Sequence, residues 1–188
     1  MPSNLPVVIE TRDGSRFSIR PVTSDDKPLL SAGFARLSDR TRYLRFLVPT
    51  PSLSRSQLSY LSETDQRNHV AWGVLSDGEP VAIGRFVRLG ESSSADVALT
   101  VVDEFQGRGV GPALISVLAE SARARGIEEF HFDVLVENAP MRTVLARLGG
   151  QETFEGATVH VVVDVGTIPP PPVVSGELIP LLDEVAAR

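Results

Sequence analysis

Two hydrophobic periods alternate along residues 16 to 165, and their order predicts an α/β chain. Arg16 to Pro21 reads as a strand, because Phe17 and Ile19 alternate with Arg16, Ser18 and Arg20. Thr23-Ser24-Asp25-Asp26 then supplies a helix start, with Ser24 as a cap and two aspartates suited to the first turn. Leu29, Leu30, Phe34 and Leu37 fall on one face of that helix. A second start at Ser38-Asp39 leads to Tyr43, Leu44 and Leu47 before Pro49 and Pro51 end it. Ser54 to Ser62 carries Leu58 and Leu61 on one side and predicts a third short helix.

The period then shortens to two. His69 to Leu75 and Pro80 to Leu89 read as strands joined by the hairpin turn Ser76-Asp77-Gly78-Glu79. After Gly90 to Ser94, Ala95 to Val102 continues the meander, with Val97, Leu99 and Val101 on one face and Asp96, Ala98, Thr100 and Val102 on the other. A helix runs to about Arg125, striped by Leu114, Val117, Leu118 and Ser121 and stopped by Gly126. Glu129 to Val136 is nearly continuous in apolar residues, which predicts a strand buried on both faces and parallel to the one before the helix. Asn138 opens a helix carrying Met141, Val144, Leu145 and Leu148, and a hairpin around Gly156 closes the core. Residues 1–15 are expected to be an N-terminal extension, 16–166 the domain, and 167–188 an extended C-terminal arm led by four prolines. Leu178 to Val185 is a candidate helix that docks on the domain or on a second copy, as in a homodimer.

Composition narrows the chemistry. A chain of 188 residues fits one domain, and the absence of cysteine removes disulfides, thiolate metal sites and cysteine nucleophiles. No metal site is expected, because no histidine sits at ligand spacing. A net charge of −6 argues against nucleic acid as the main partner. Met1 to Thr11 has no charged segment followed by a long apolar run, and no run reaches the ~18 apolar residues of a membrane span. The expectation is a cytoplasmic protein with no membrane partner.

The stretch Gln106-Gly107-Arg108-Gly109-Val110-Gly111-Pro112-Ala113 stands between a strand and a helix. Glycines leave backbone N–H groups open to a ligand, and the helix start adds orphan donors and the positive end of a dipole. The guest that fits is a phosphate or pyrophosphate. The P-loop pattern fails for want of Lys-Ser or Lys-Thr, and GxGxxG fails at Pro112. What remains is Q-x-x-G-x-G, met by Gln106, Gly109 and Gly111.

This loop resembles the coenzyme A pyrophosphate loop of the GNAT superfamily of N-acetyltransferases, and the order of elements over residues 16 to 165 is similar too. The catalytic domain of Pat-type protein lysine acetyltransferases is the nearest likeness. It is carried by Ile19-Arg20-Pro21-Val22 with Asp25-Asp26, Arg42-Tyr43-Leu44-Arg45-Phe46, Ala95-Asp96-Val97-Ala98 and Glu137-Asn138-Ala139-Pro140-Met141. The resemblance implies a GNAT fold: a mixed, mostly antiparallel sheet with a splayed parallel pair and flanking helices. It implies acetyl-CoA as acyl donor and an amine acceptor, a protein lysine first and a small-molecule amine second. Pantetheine would pair with the strand edge at Thr100 and Val101. The N–H groups of Gly107, Arg108, Gly109, Val110, Gly111 and Ala113 would wrap the pyrophosphate behind Gln106. Pro112 would occupy a first-turn position where no N–H bond is lost. Arg108 would add charge, and Asn138 would meet the coenzyme from the other side or cap its helix. Asp96 stands where Pat-type domains carry a glutamate, which implies a base for the acceptor amine, and a backbone N–H of Leu99 to Val101 is a candidate for the oxyanion.

The resemblance is incomplete. Many GNAT proteins carry a tyrosine where this chain has Leu145, so no acid for the leaving thiolate is expected there, and a non-catalytic acyl-CoA-binding or sensing module is the alternative. His131 and Asp133 share a strand face and read as packing neighbours. His69 and His160 lack ligand spacing, and Glu63 and Asp65 read as solvated. Arg36, Arg40, Arg42 and Arg45 read as a solvated helix face that would welcome a carboxylate. Trp72 and Tyr43 are expected in the core.

Overall fold

The computed structural model describes residues 6–188. The strands are β1 (Val7–Glu10), β2 (Arg16–Pro21), β3 (His69–Ser76), β4 (Glu79–Arg88), β5 (Ser94–Val101), β6 (Glu129–Leu135), β7 (Gln151–Glu155), β8 (Thr158–Asp164) and β9 (Val173–Ser175). The helices are α1 (Lys27–Ala35), α2 (Asp39–Phe46), α3 (Arg55–Ser62), α4 (Val110–Ala124), α5 (Ala139–Arg147) and α6 (Leu178–Ala186). One nine-stranded sheet runs in the order β7-β8-β6-β5-β4-β3-β2-β1-β9. All pairs are antiparallel except β5–β6.

The core lies on the α4 face. Leu114, Ile115, Val117 and Leu118 of α4 are fully buried against Val70, Trp72, Val74 and Phe86 of the sheet. Each such side chain contributes about 1.5–3 kcal/mol by leaving water. Trp72 satisfies its indole N–H on Ser121 Oγ at 2.9 Å. Gly84 is where α4 comes closest to β4: a Cβ there would sit 2.8 Å from Leu114. Helix α4 stops as its sequence predicts. Gly126 takes φ 69° and donates to Arg123 O, and Ile127 donates to Ala122 O, which satisfies two of the last carbonyls.

Four expectations are corrected. The N-terminal extension is not outside the domain: Val7–Glu10 forms β1, paired with β2 from Val7↔Ile19 to Glu10↔Arg16, and Val7 and Ile9 are buried. Residues 1–5 of that expected extension lie outside the described residues. The C-terminal segment is not a free arm: β9 pairs with β1, Glu10 N donates to Pro172 O at 2.9 Å, and Leu178 and Leu182 of α6 join the main core. Strand β6 is not buried on both faces. Phe130, Phe132 and Val134 are buried, but Glu129 and Asp133 are exposed and His131 half-exposed, because α1, α2 and α3 cover β2 to β5 and leave the polar face of β6 and β8 open. Tyr43 is exposed rather than core.

Candidate functional site

The site begins where the sheet splits. Strand β5 pairs with β4 along its length, from Ala95↔Arg88 to Val101↔Ala82, but meets β6 only at Ser94↔Glu129, Ala95↔Phe130 and Asp96↔His131. Beyond that pair β6 continues with β8 instead. A wedge therefore opens between the strands, and the edge of β5 that carries Thr100 and Val101 faces it with no strand partner among the described residues. An unpaired strand edge offers main-chain donors and acceptors to an extended ligand.

The glycine loop sits at the mouth of the wedge. Gly107 and Gly109 adopt φ 74° and 88°, the left-handed region in which a side chain is strained. Among the described residues, the five consecutive N–H groups from Gly107 to Gly111 find no backbone acceptor, and Ala113 N closes the first helical bond on Gly109 O at 3.1 Å. The result is a run of free donors at the positive end of a 15-residue helix. Val110 is buried, so only its main chain is offered. Pro112 is exposed in the first turn, as expected of a residue with no N–H to lose. Gln106 is structural: its Nε2 donates to Val101 O at 3.0 Å and to Thr41 Oγ1 at 3.3 Å, which folds the loop back on its strand.

Arg108 does not reach toward this nest. Its guanidinium bonds Asp13 Oδ2 at 3.1 Å and Ser15 Oγ at 2.6 Å and lies over the rings of Phe17 and Phe105. The Thr11 hydroxyl, the Ser15 N–H and Arg108 together hold the Asp13 carboxyl well below the usual carboxylate range. The cradle is thus built of backbone, and its arginine fastens it to the β1–β2 turn. Asp103, which the sequence did not single out, fastens the other side: it accepts from Ser38 Oγ at 2.6 Å, Ser38 N at 3.0 Å and Thr41 Oγ1 at 2.9 Å. Across the wedge, Asn138 caps α5, its Oδ1 accepting from Met141 N at 3.3 Å. Leu145 is fully buried in the core.

On the opposite side of β5 lies a cleft made of side chains. Asp96 is exposed at the last β5–β6 pair, and Ala98, two residues on, pairs with Arg85. Arg85 lies over the Tyr60 ring at 4.4 Å, and its buried Nη1 has no hydrogen-bond partner. Burial lowers the Arg85 pKa. Burial, then repulsion from Arg85, brings Arg45 down to about 10. Burial and the charge of Arg85 push His69 down to about 4, against an opposing pull from Asp65. No ion pair among the described residues reaches Arg45 or Arg85. Arg36 and Arg42 are engaged, and Arg40 is exposed. Arg36 pairs with Glu104 and bonds Pro80 O, and Arg42 bonds Pro51 O and lies over Phe34. Glu63 pairs with Lys27 at 2.6 Å, and Asp65 accepts three successive N–H groups at 2.8 Å, so neither is free for chemistry. Beneath α1 to α3 an apolar cavity of ≈ 90 Å³ reaches Thr100, with Arg45 in its wall.

The strand face that joined His131 to Asp133 in sequence holds a third member. His131 Nδ1 lies 3.0 Å from His160 Nε2, and His160 Nδ1 lies 2.8 Å from Asp133 Oδ1. His160 arrives from β8, whose register places it opposite Asp133.

Comparison with known proteins agrees with this geometry. The family model described as an acetyltransferase (GNAT) domain matches residues 16–151. The chain is 38% identical over 149 residues to acetyltransferase Pat of Mycolicibacterium smegmatis, covering 77% of this chain and 44% of that protein. It therefore spans less than half the length of that relative. It is 30% identical over 152 residues to acetyltransferase PA5475 of Pseudomonas aeruginosa, covering 78% of this chain and 82% of the other. The crystal structure of the GNAT domain of S. lividans PAT superposes with a TM-score of 0.82 at 32% identity, covering 87% of this chain and 99% of that one. A sheet split beside a glycine nest, matched in sequence and in coordinates, leaves one assignment: the chain belongs to the GNAT family of acetyltransferases.

Proposed function

We propose that this protein transfers the acetyl group of acetyl-CoA to an amine, and that the acceptor is a lysine side chain of a protein. The observation that carries the donor is the wedge with its nest: the open edge at Thr100 and Val101 suits the amide-bearing pantetheine arm, and the donors of Gly107 to Gly111 suit the pyrophosphate. When bound, acetyl-CoA supplies an activated acyl carbon. The chain supplies the rest. Backbone N–H groups near Leu99 to Val101 face the developing oxyanion, and Asp96, at the vertex of the wedge, binds the acceptor ammonium and assists its deprotonation. The likeness to Pat supports the lysine acceptor.

Calorimetric titration with acetyl-CoA and a thiol-release assay on lysine peptides test this. The expected outcome is saturable binding and acceptor-dependent release. Asp96→Asn should keep donor affinity and lose about 100-fold or more in turnover. Binding without release from any amine would leave a sensing module in place of an enzyme.

A further inference from the structure

We infer that His131 is the side chain that takes the proton from the acceptor amine, and that His160 and Asp133 hold it in the tautomer required. This rests on the acetyl-transfer reading above. With both rings neutral, the hydrogen bonds fix the tautomers. Asp133, as a carboxylate, can only accept, so His160 Nδ1 donates to it across 2.8 Å. His160 then has a bare Nε2, which accepts from His131 Nδ1–H across 3.0 Å. His131 is left with its lone pair on Nε2. That atom is buried and makes no hydrogen bond among the described residues.

A buried imidazole nitrogen with no partner is costly unless something comes to it. Three observations say what comes. First, His131 is the strand partner of Asp96 at the last pair before the wedge opens, so both side chains stand on one face about 5 Å apart at Cβ. Second, α1, α2 and α3 cover this face over β2 to β5 but leave it open over β6 and β8. Third, Glu129 Oε2 stands 3.5 Å from His131 Nε2 without a hydrogen bond between them, so a second carboxylate faces the place where a cationic amine would approach. Three of the row's four ring nitrogens are already hydrogen-bonded, and no cluster of side chains that could hold a metal ion occurs among the described residues.

The step balances without any further reagent. The ammonium binds beside Asp96 and gives one proton to His131 Nε2, directly or through one water. The freed nitrogen pair forms the C–N bond as the C–S bond breaks, and the sulfur leaves with its bonding pair. The second N–H proton neutralises that thiolate, and the imidazolium returns its proton to solvent. His131 is the catalytic residue; His160 and Asp133 are positioning residues, acting only through it.

The chain has three histidines, so nitrogen-15 histidine spectra resolve each ring. The spectrum at neutral pH should show His131 with bare Nε2 and protonated Nδ1, and His160→Gln should scramble that tautomer while the fold persists. In thiol release, His131→Ala should fall about 100-fold or more in kcat with unchanged acetyl-CoA affinity, and added imidazole should restore part of it. His160→Gln should fall less. A protonated His131 Nε2 in the wild type overturns the proposal whatever becomes of acetyl transfer. A His131→Ala variant within threefold of wild type overturns it and leaves acetyl transfer standing. A wild type that releases no thiol with any amine overturns the acetyl-transfer reading, and the catalytic role with it.

Discussion

Gly109→Ala isolates what the loop does. Gly109 sits at φ 88° and ψ 4°, the N-cap of α4, and a Cβ there meets only Thr11 Cβ at 3.6 Å and Arg12 N at 3.7 Å, ordinary contacts. The cost is therefore conformational. An alanine in the left-handed region costs about 1–2 kcal/mol, and its stiffer unfolded chain returns about 0.4–1 kcal/mol. A net loss of about 1 kcal/mol lowers Tm by about 2–4 °C in a chain of this size. Gly78→Ala is the matched control, with φ 84° and open space around its Cβ, at the β3–β4 hairpin. Both variants should melt earlier by similar amounts. Only Gly109→Ala should lose donor binding, because relaxing φ turns the neighbouring N–H groups out of the nest. Hydrogen bonds to a charged group are worth about 1.5–3 kcal/mol each, so losing one raises the Kd for acetyl-CoA by about 10- to 100-fold. Calorimetry on the pair reads both quantities. Equal affinity in Gly109→Ala and Gly78→Ala would refute the nest as the pyrophosphate site.

Other outcomes follow from the rest of the structure. Leu182→Ala empties a fully buried position between α6 and the main core and should cost about 2–5 kcal/mol in chemical denaturation; a loss under about 0.5 kcal/mol would show that the tail does not belong to the folding unit. His69 has a folded pKa of about 4 against an ordinary value of 6.5, so the unfolded chain binds the extra proton between those limits. Stability should therefore fall as pH drops from 6.5 to 4, and His69→Gln should flatten that slope. Arg85→Met removes a buried, unpartnered donor worth about 1–3 kcal/mol at the loss of a Tyr60 contact worth about 0.5–2 kcal/mol, so the free protein should lose no more than about 1 kcal/mol of stability. The same variant should abolish any preference, read as kcat/KM, for lysine peptides with acidic rather than neutral flanks.

Much of the fold is legible because its signals are local. The alternation in β2 to β5, the stop at Gly126 and the cap at Asn138 each lie within a few residues of what they determine. The failures are all non-local. Val7 to Glu10 is too short to show a period, and it becomes a strand because β2 and β9 pair with it from either side. The proline-led tail looks extended until its next residues reach the β1 edge. Arg108 is a phosphate ligand by position alone, yet Asp13, 95 residues away, competes for it and wins in this structure. The histidine row depended on a strand register: nothing in the sequence says that His160 stands opposite Asp133. Tertiary pairing overrode local reading at each of these positions.

The two halves of the candidate site are built from different materials, and this bears on the acceptor. The donor half is backbone N–H and a bare strand edge, which most substitutions leave in place. The proposed acceptor half is Asp96, His131, Tyr60, Arg45 and Arg85, which single substitutions change. Along β5, Ala98 lies about 7 Å from Asp96 by strand rise, and Arg85 is its partner. Arg85 therefore stands on the same sheet face as Asp96, and its charge repels an ammonium bound there. An acceptor carrying a carboxylate beside its amine converts this repulsion into attraction of similar size. A swing of even about 1 kcal/mol is a several-fold preference in kcat/KM. On the acetyl-transfer reading proposed above, an amine with a carboxylate neighbour is therefore the acceptor expected to bind best, and Arg45 and Arg85 are the residues whose substitution tests it.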